Sequence, residues 1–433
     1  MTWWVKGMPA FLREPNQPAL HEITTHVAFA PTEFEIENYK GDMSTWEGFG
    51  KFVYALKQGR DNLPANVRKK IHELSDGITD PYRKIQVLYE FMQQHTRYVS
   101  VQLGIGDWQP FDADYVATKG YGDCKALANF TFSILKEAGI HSFYTLVRAG
   151  SSIGRITESF PSQQFNHVIL CVPLEKDSVW LECTSETLPA GYLGDFTCDR
   201  YALLIDEHGG HLVRTPQYGM KENLEERRIK ATLDGEATLR MKTVTSYSGL
   251  QQDLYHDLIN DLSADKVKEY LHELLDFATY TISKFDYKEN KSSLPTIEET
   301  LEISVSNYAT ITGKRLFIIP NVMTRTHRRL AADTARKFDL EMGHGFEDLD
   351  SVEIELPEGY TAESLPADVA LNTKFGTYNC RVKLKGNKLF YYRDMEFNGG
   401  RYLASEYMEL AKFYETIYKS DRNKVVLVKS ESQ

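Results

Sequence analysis

Two periodicities of apolar residues divide the chain into predicted helices and predicted strands. Apolar residues three and four positions apart are typical of an amphipathic helix, whereas alternation is typical of a half-buried strand. Helical spacing predicts four helices in the first third of the chain: after a capping-box sequence at 44–47, at 65–74, after Asp80-Pro81, and at 124–138. Strand-like segments follow at 142–147, 165–172, 179–183 and 201–205. A helix followed by a run of antiparallel strands predicts an α+β domain.

The pattern changes after about residue 220. Residues 228–245 alternate on both sides of the Asp-Gly pair at 234–235, which favours a hairpin turn. Helical spacing at about 250–278 and at 402–418 predicts two further helical segments, with several strand segments between them. This part is therefore predicted to be a β-rich domain of α+β type.

These changes predict three parts along the 433 residues, a length that suits two or three domains. Alternation over 22–29 predicts a strand, so residues 1–40 are interpreted as the remnant of a β-rich N-terminal domain. Residues 41–220 are predicted to form the core α+β domain, and residues 221–433 a β-rich C-terminal domain with helices.

Charge and cysteine content exclude several classes of protein. The formal net charge of −11 makes the chain a poor candidate for binding nucleic acid through its overall field. No apolar run approaches the ~18 residues of a membrane-spanning helix, and the N-terminus lacks the apolar core of a signal peptide. These absences predict a cytoplasmic protein, or an extracytoplasmic one if the N-terminus is truncated. The five cysteines are odd in number and contain no C-x-x-C pair, so neither a disulfide framework nor a zinc site is expected.

Cys124 lies at the start of a predicted helix, in the segment Gly-Tyr-Gly-Asp-Cys-Lys-Ala, where a reactive thiolate is favoured. Unpaired N–H groups and the positive end of the helix dipole stabilise a thiolate at this position. The backbone N–H of Cys124 could also donate to an oxyanion. The alternative is a buried structural cysteine, since cysteine is among the most buried residue types.

A histidine and a carboxylate follow on two predicted strands. His167 precedes an apolar run that would hold it rigidly in a sheet, which suits a base that must meet a thiol. Glu182 lies on the next predicted strand, after a probable turn at 175–178, and could accept the other imidazole N–H. Asp177 and Glu186 are weaker candidates for the same role. The alternatives are a structural histidine and an exposed strand carboxylate.

The three segments G-Y-G-D-C-K-A, F-N-H-V-I and W-L-E-C-T-S, in this order, resemble the bacterial transglutaminase-like superfamily. The match covers about residues 80–205, and Glu182 departs from the aspartate that is usual in that superfamily. The resemblance implies a papain-like core in residues 41–220, flanked by β-rich domains, with a catalytic triad of Cys124, His167 and Glu182. It also implies that the protein is exported.

The resemblance further implies a cysteine-dependent acyl transfer, by hydrolysis or transamidation, on peptide, protein or amide-bearing cell-envelope substrates, without metal or cofactor. Papain-type sites use a glutamine as an oxyanion donor, so Gln109 and Gln102 are candidates, although either could be a loop surface residue. Candidates for lining the cleft are Trp108, Tyr121, Asp123 and Asn166, and Trp108 could instead be a core aromatic residue. The competing hypothesis is a non-catalytic binding or assembly module on a transglutaminase-like scaffold.

Overall fold

The computed structural model describes residues 2–8, 10, 12–101, 103–150 and 154–429. Helices pack on several separate sheets, and the predicted α+β class is confirmed. The boundaries predicted at residues 40 and 220 stay predictions. None of the helices in the described part of the chain is both long enough and apolar enough to cross a bilayer.

The elements of the first half surround one long central helix. In chain order they are α1 (Leu20–Ile23), β1 (Glu33–Ile36), β2 (Tyr39–Asp42), α2 (Trp46–Lys57), α3 (Ala65–Ser75), α4 (Pro81–His95), β3 (Arg97–Tyr98), a 3-10 turn (Gly104–Asp107), α5 (Ala113–Lys119), β4 (Tyr121–Gly122), α6 (Cys124–Glu137), β5 (Phe143–Val147), β6 (His167–Pro173), β7 (Ser178–Leu181), α7 (Gly194–Thr197), β8 (Tyr201–Asp206) and β9 (Gly209–Arg214).

The elements of the second half are mostly strands. In chain order they are β10 (Leu224–Leu233), β11 (Leu239–Ser248), a 3-10 turn (Gly249–Gln252), α8 (Asp253–Asp261), α9 (Ala264–Leu274), β12 (Tyr280–Asn290), β13 (Thr296–Val305), β14 (Thr310–Thr312), β15 (Arg315–Ile318), β16 (Leu340–Met342), β17 (Phe346–Glu355), β18 (Tyr360–Ser364), β19 (Val369–Thr373), β20 (Gly376–Lys385), β21 (Lys388–Phe397), β22 (Gly400–Tyr402), a 3-10 turn (Ala404–Glu406), α10 (Tyr407–Ser420) and β23 (Val425–Lys429).

An antiparallel sheet of five strands, in the order β7-β6-β5-β8-β9, forms the centre of the first half. Side chains of β6 alternate between its two faces, as the pleat of a strand requires. Val168 and Leu170 join the apolar cluster that contains the buried face of α6, whereas Ile169 and Cys171 join a smaller cluster on the opposite face. Helix α6 therefore packs against one face of this sheet.

Local signals fix the ends of α6. Asp123 caps the helix, because its Oδ1 accepts the N–H of Ala126 at 2.9 Å. Gly139 follows the helix with a φ of 76°, a left-handed conformation that glycine adopts at low cost. The predicted helix at 124–138 thus differs from α6 by one residue.

An eight-stranded sheet, in the order β12-β13-β11-β10-β17-β21-β20-β19, forms the second half. All its neighbouring strands are antiparallel except β10 and β17, which pair in parallel. A second sheet of four strands places β23 between β15 and β18. The apolar residues of α10 and the inward residues of these strands share one buried cluster.

Three predictions about secondary structure need correction. The strand predicted at 22–29 is wrong: α1 occupies its start, and Val27 and Phe29 are exposed because no neighbouring strand covers them. The turn-rich sequence at 103–110 predicts an irregular chain between 98 and 122, but this stretch contains α5. The helix predicted at 402–418 begins only at Tyr407, because residues 400–402 form β22.

Candidate active site

Cys124 is the first residue of α6 and lies next to a tight backbone contact. Strand β4, immediately before it, pairs in parallel with β3. A Cβ atom at Gly122 would lie 2.7 Å from the Cβ of Ala126, so only glycine fits where β4 approaches the helix. The side chain of Cys124 is 6% exposed. The N-terminus of α6 therefore presents a thiol in a nearly closed environment.

His167 lies between this thiol and a carboxylate. It begins β6, where it pairs with Val147 of β5, and its side chain is buried. Its Nε2 lies 2.9 and 3.0 Å from the two carboxylate oxygens of Glu182. The side chain of Cys124 lies beside the same imidazole, and its interaction raises the pKa of His167. Because Nε2 faces the carboxylate, Nδ1 is the ring nitrogen left for the sulfur.

Glu182 directly follows β7 and is also buried. Its Oε1 accepts the backbone N–H of Thr184 at 3.2 Å and the hydroxyl of Thr184 at 2.6 Å. Its Oε2 lies 3.5 Å from the hydroxyl of Thr197. Since both carboxylate oxygens also reach His167, the extra methylene that distinguishes glutamate from aspartate is accommodated.

Burial and their mutual contact shift the pKa values of both His167 and Glu182. Burial alone lowers the pKa of His167, but the Glu182 carboxylate and hydrogen bonds to Cys124 and Glu182 outweigh burial and raise this pKa to about 10. Burial raises the pKa of Glu182, but the His167 charge and hydrogen bonds from His167 and Thr184 lower it overall. The imidazolium and the carboxylate therefore stabilise each other near neutral pH.

We expect this pair to stabilise the fold over a defined pH range. The contribution of Glu182 is present above its ordinary pKa of 4.5, and that of His167 is complete below 6.5 and lost as the pH rises through about 10. Glu182→Gln removes one partner of a buried ion pair, which costs about 3–5 kcal/mol. Urea denaturation at several pH values should show that Glu182→Gln lowers the free energy of unfolding most between about pH 4.5 and 6.5. The decrease should be smaller near pH 10. A loss that does not vary with pH would mean that the pair is not ionised in the folded protein.

Other acidic candidates lie away from the imidazole. Asp177 is exposed in the turn before β7, where its Oδ1 accepts the N–H of Ser178. Glu186 is exposed in the loop after Glu182. Of the three carboxylates that the sequence offered, Glu182 is the one that contacts His167.

One of the two glutamine candidates, Gln109, lies within the described residues, and its amide is already engaged. Gln109 is buried, and its Nε2 donates to the hydroxyl of Tyr39 and to the carbonyl of Leu56, both at 3.1 Å. These two bonds use both amide hydrogens, so the site proposed below does not use Gln109. Gln102 lies outside the described residues.

Two of the cleft-lining candidates are committed to local contacts. The side chain of Asp123 caps α6 and forms a buried ion pair with Lys125 at 2.5 Å. The side-chain amide of Asn166 bonds to both backbone polar groups of Ala149, at 2.7 and 3.0 Å. Asn166 therefore fixes the chain beside His167 at the end of β5.

The two aromatic candidates lie against other aromatic rings. The hydroxyl of Tyr121 is 2.8 Å from that of Tyr115. The ring of Trp108 lies edge-on to that of Phe52, with 5.7 Å between centroids, and it is only partly buried. Trp108 therefore packs on core rings and also lines a surface cleft that the triad residues do not line, and its role in a catalytic cleft stays a prediction.

The structure adds contacts to the triad that the sequence did not reveal. The ring of Phe196 lies edge-on to the His167 ring, with 5.3 Å between centroids, and is 46% exposed. Thr184 and Thr197 hold the carboxylate of Glu182. The sequence offers a local signal only for Thr184, because a threonine two residues after an acid often bonds to it.

Two surface clefts lie apart from the triad. Trp108, residues 27–31 and residues 162–164 contribute to a cleft of about 650 Å³. A second cleft of about 690 Å³ lies on the eight-stranded sheet, and Arg381 and Tyr392 are among its residues. None of the three triad residues lines either cleft. Within the described ranges, no group of three or more His, Cys, Asp or Glu side chains is arranged to hold a metal ion.

Comparisons with known proteins agree on the fold. Residues 314–427 match a family model described as a domain of unknown function with solved structure, DUF3858. The chain is similar to a crystal structure described as a "putative protease" from Parabacteroides distasonis, with a TM-score of 0.51 and 10% sequence identity. The similarity covers 88% of this chain and 58% of that one, so this chain spans little more than half of that structure. No curated protein matches. At this identity the likeness shows a shared α+β fold.

Proposed function

We propose that this chain is a cysteine-dependent acyl transferase or hydrolase with a papain- and transglutaminase-like core. The observation that carries the proposal is the imidazole of His167, which lies within hydrogen-bond distance of both carboxylate oxygens of Glu182, with the Cys124 side chain near enough to raise its pKa. A thiol, an imidazole and a carboxylate joined in series are the groups that nucleophilic catalysis requires. The order of these groups along the sequence, and the shared fold with a protein described as a protease, support the same reaction class.

In the proposed reaction, His167 holds the thiol proton as an imidazolium, and the sulfur of Cys124 attacks an amide carbonyl. The backbone N–H groups at the start of α6 can donate to the oxyanion that develops. The imidazolium returns its proton to the leaving amine, the C–N bond breaks, and an acyl thioester remains on Cys124. Water or a second amine then attacks the thioester and restores the thiol, with His167 transferring the proton again. Glu182 keeps the imidazolium oriented throughout.

The proposed substrates are peptides, proteins or amide-bearing components of the cell envelope. The family resemblance supports this class, and the choice between water and an amine as acceptor is a matter for experiment. Mass spectrometry of Cys124, after exposure to a library of peptide amides with trapping amines, would identify both the acyl donor and the acceptor.

We expect iodoacetamide to label Cys124 far ahead of the other four cysteines at neutral pH. Burial raises the pKa of each of those thiols, to about 11 for Cys171 and about 12 for Cys198, and likewise upward for Cys183 and Cys380. They are therefore protonated and slow to react, whereas the sulfur of Cys124 lies beside the His167 imidazole at the positive end of the α6 dipole. Peptide mapping by mass spectrometry measures the rate at each site. Equal, slow labelling of all five cysteines would instead support the binding-module hypothesis.

A further inference from the structure

The chain between Glu182 and Thr197 carries several of the groups that touch the triad. Its first residue is the acid itself, and Thr184 follows two positions later. At its other end, Phe196 lies edge-on to His167 and Thr197 reaches the Glu182 carboxylate. We name residues 182–197 the acid segment. A shift of this segment would change the position of Glu182 and the packing around His167 together.

Helix α4 holds the first part of the acid segment. The hydroxyl of Tyr89 donates to the carbonyl of Glu182 at 2.6 Å. The amide of Gln93 donates to the carbonyls of Ser185 and Leu188, at 3.0 and 2.9 Å. The hydroxyl of Tyr82 on the same helix also donates to the carbonyl of Ala190, at 2.7 Å. These contacts come from the same half of the chain as the triad and reach position 190, so the residues just before Phe196 have other partners.

Helix α8, from the second half of the chain, holds that stretch through Asp253. One carboxylate oxygen accepts the hydroxyl of Tyr192 at 2.5 Å, and the other accepts the backbone N–H of Asp195 at 3.0 Å. Asp195 is the residue immediately before Phe196. Gln252 also donates to Asp253, at 2.8 Å, so the carboxylate has partners on both of its oxygens. A carboxylate with this many partners is held in one orientation.

A second contact of α8 runs through His256. Its Nε2 lies 2.8 Å from the hydroxyl of Thr187, and its Nδ1 lies 2.5 Å from a carboxylate oxygen of Glu289 on β12. His256 is 3% exposed, and Glu289 fixes its ring orientation. Lys291 adds a bond from its ammonium group to the carbonyl of Thr187 at 3.0 Å. The acid segment is thus held at both 187 and 192–195 by the second half.

We infer that Asp253 and His256 are positioning residues for the triad, and that the second half of the chain completes the site by holding the acid segment. This inference rests on the proposed function. Neither residue touches Cys124 or His167 in the described contacts, and both act through the backbone and side chains that support Glu182 and Phe196. A misplacement of about 1 Å in such supporting groups can cost about 10²-fold in rate.

The test measures acylation with p-nitrophenyl acetate as the acyl donor, using the full chain. Asp253→Ala should lower the acylation rate constant at saturating ester about 10- to 100-fold, while the half-saturating concentration changes less than about twofold. Asp253→Asn keeps one acceptor oxygen and should recover part of the rate. His256→Gln is measured in parallel, so that unfolding of one variant does not decide the outcome. Asp261→Ala, at the exposed end of the same helix, is the matched control.

The outcomes separate the inference from the proposed function. A burst of p-nitrophenolate in the unmodified protein that disappears in Cys124→Ala supports the proposed function, and its absence overturns that function. If the burst depends on Cys124 but the folded Asp253 and His256 variants match the Asp261 control, only the positioning role is overturned. Loss of rate with an unchanged urea midpoint supports positioning, because a purely structural role would lower the midpoint instead.

Discussion

Cys124→Ala should abolish acyl transfer, with turnover falling about 10⁴-fold or more, because no other group at the α6 N-terminus can form the thioester. The fold should remain, since alanine is a good helix former and Asp123 still caps the helix. Turnover is measured as amine release from a peptide amide that labels Cys124, and folding by circular dichroism and urea denaturation.

Cys171→Ala is the matched control for this substitution. Cys171 is a buried free thiol on β6, the strand that His167 begins, and its side chain joins the cluster on the sheet face opposite to α6 and Cys124. The Cys171→Ala protein should be somewhat less stable and should keep its turnover. Full activity in Cys124→Ala would show that the sulfur is not the nucleophile.

Glu182→Gln should lower turnover about 10²- to 10⁴-fold while leaving Cys124 in place. Glutamine keeps the shape of the side chain but removes the charge that stabilises the imidazolium, and it can hold His167 in the wrong tautomer. The comparison of kcat and KM on the same peptide amide measures this effect. The decrease in turnover caused by Glu182→Gln should appear in kcat rather than in KM.

Glu186→Gln provides the control for this charge. Glu186 lies on the same loop but is exposed, so its neutralisation should leave turnover within about twofold. Equal effects of the two substitutions would indicate that the net charge of the loop matters rather than the contact between Glu182 and His167.

Local patterns were sufficient to predict the elements that carry the triad. Asp123 and Gly139 flank α6 in the sequence, and the helix begins and ends beside them. The turn before β7 makes β6 and β7 antiparallel neighbours, so the expectation that Glu182 lies near His167 followed from strand pairing alone. The catalytic roles of these residues stay predictions.

The remaining contacts of the site could not be predicted because they join distant segments. Phe196 lies on a short helix beyond the β7 strand, and nothing in its neighbours indicates that it packs on His167. Asp253 is distant in sequence from the acid segment, and its carboxylate resembles any helix N-terminal acid. Contacts of this kind depend on how the two halves pack, which periodicity does not describe.

Segment 22–29 shows that a local pattern can also predict an element that does not form. Its alternating residues meet the pattern of a strand, but a strand also needs a neighbour to pair its backbone groups. Among the described residues no strand pairs with this segment, and Phe29 is exposed instead of facing a core. The contacts of Gln109 were hidden for a related reason. Its position before Cys124 does not indicate that Tyr39 and Leu56 accept its amide hydrogens.

The parallel pair of β10 and β17 has a consequence for synthesis on the ribosome. Leu224 of β10 pairs with Glu347 of β17, so the hairpin of β10 and β11 emerges well before its partner. At ~5–20 residues per second, translation leaves that edge open for roughly 5–25 s. An open strand edge is a template for pairing with another nascent chain. A chaperone that shields this edge, or a lower concentration of nascent chains, should therefore raise the soluble yield.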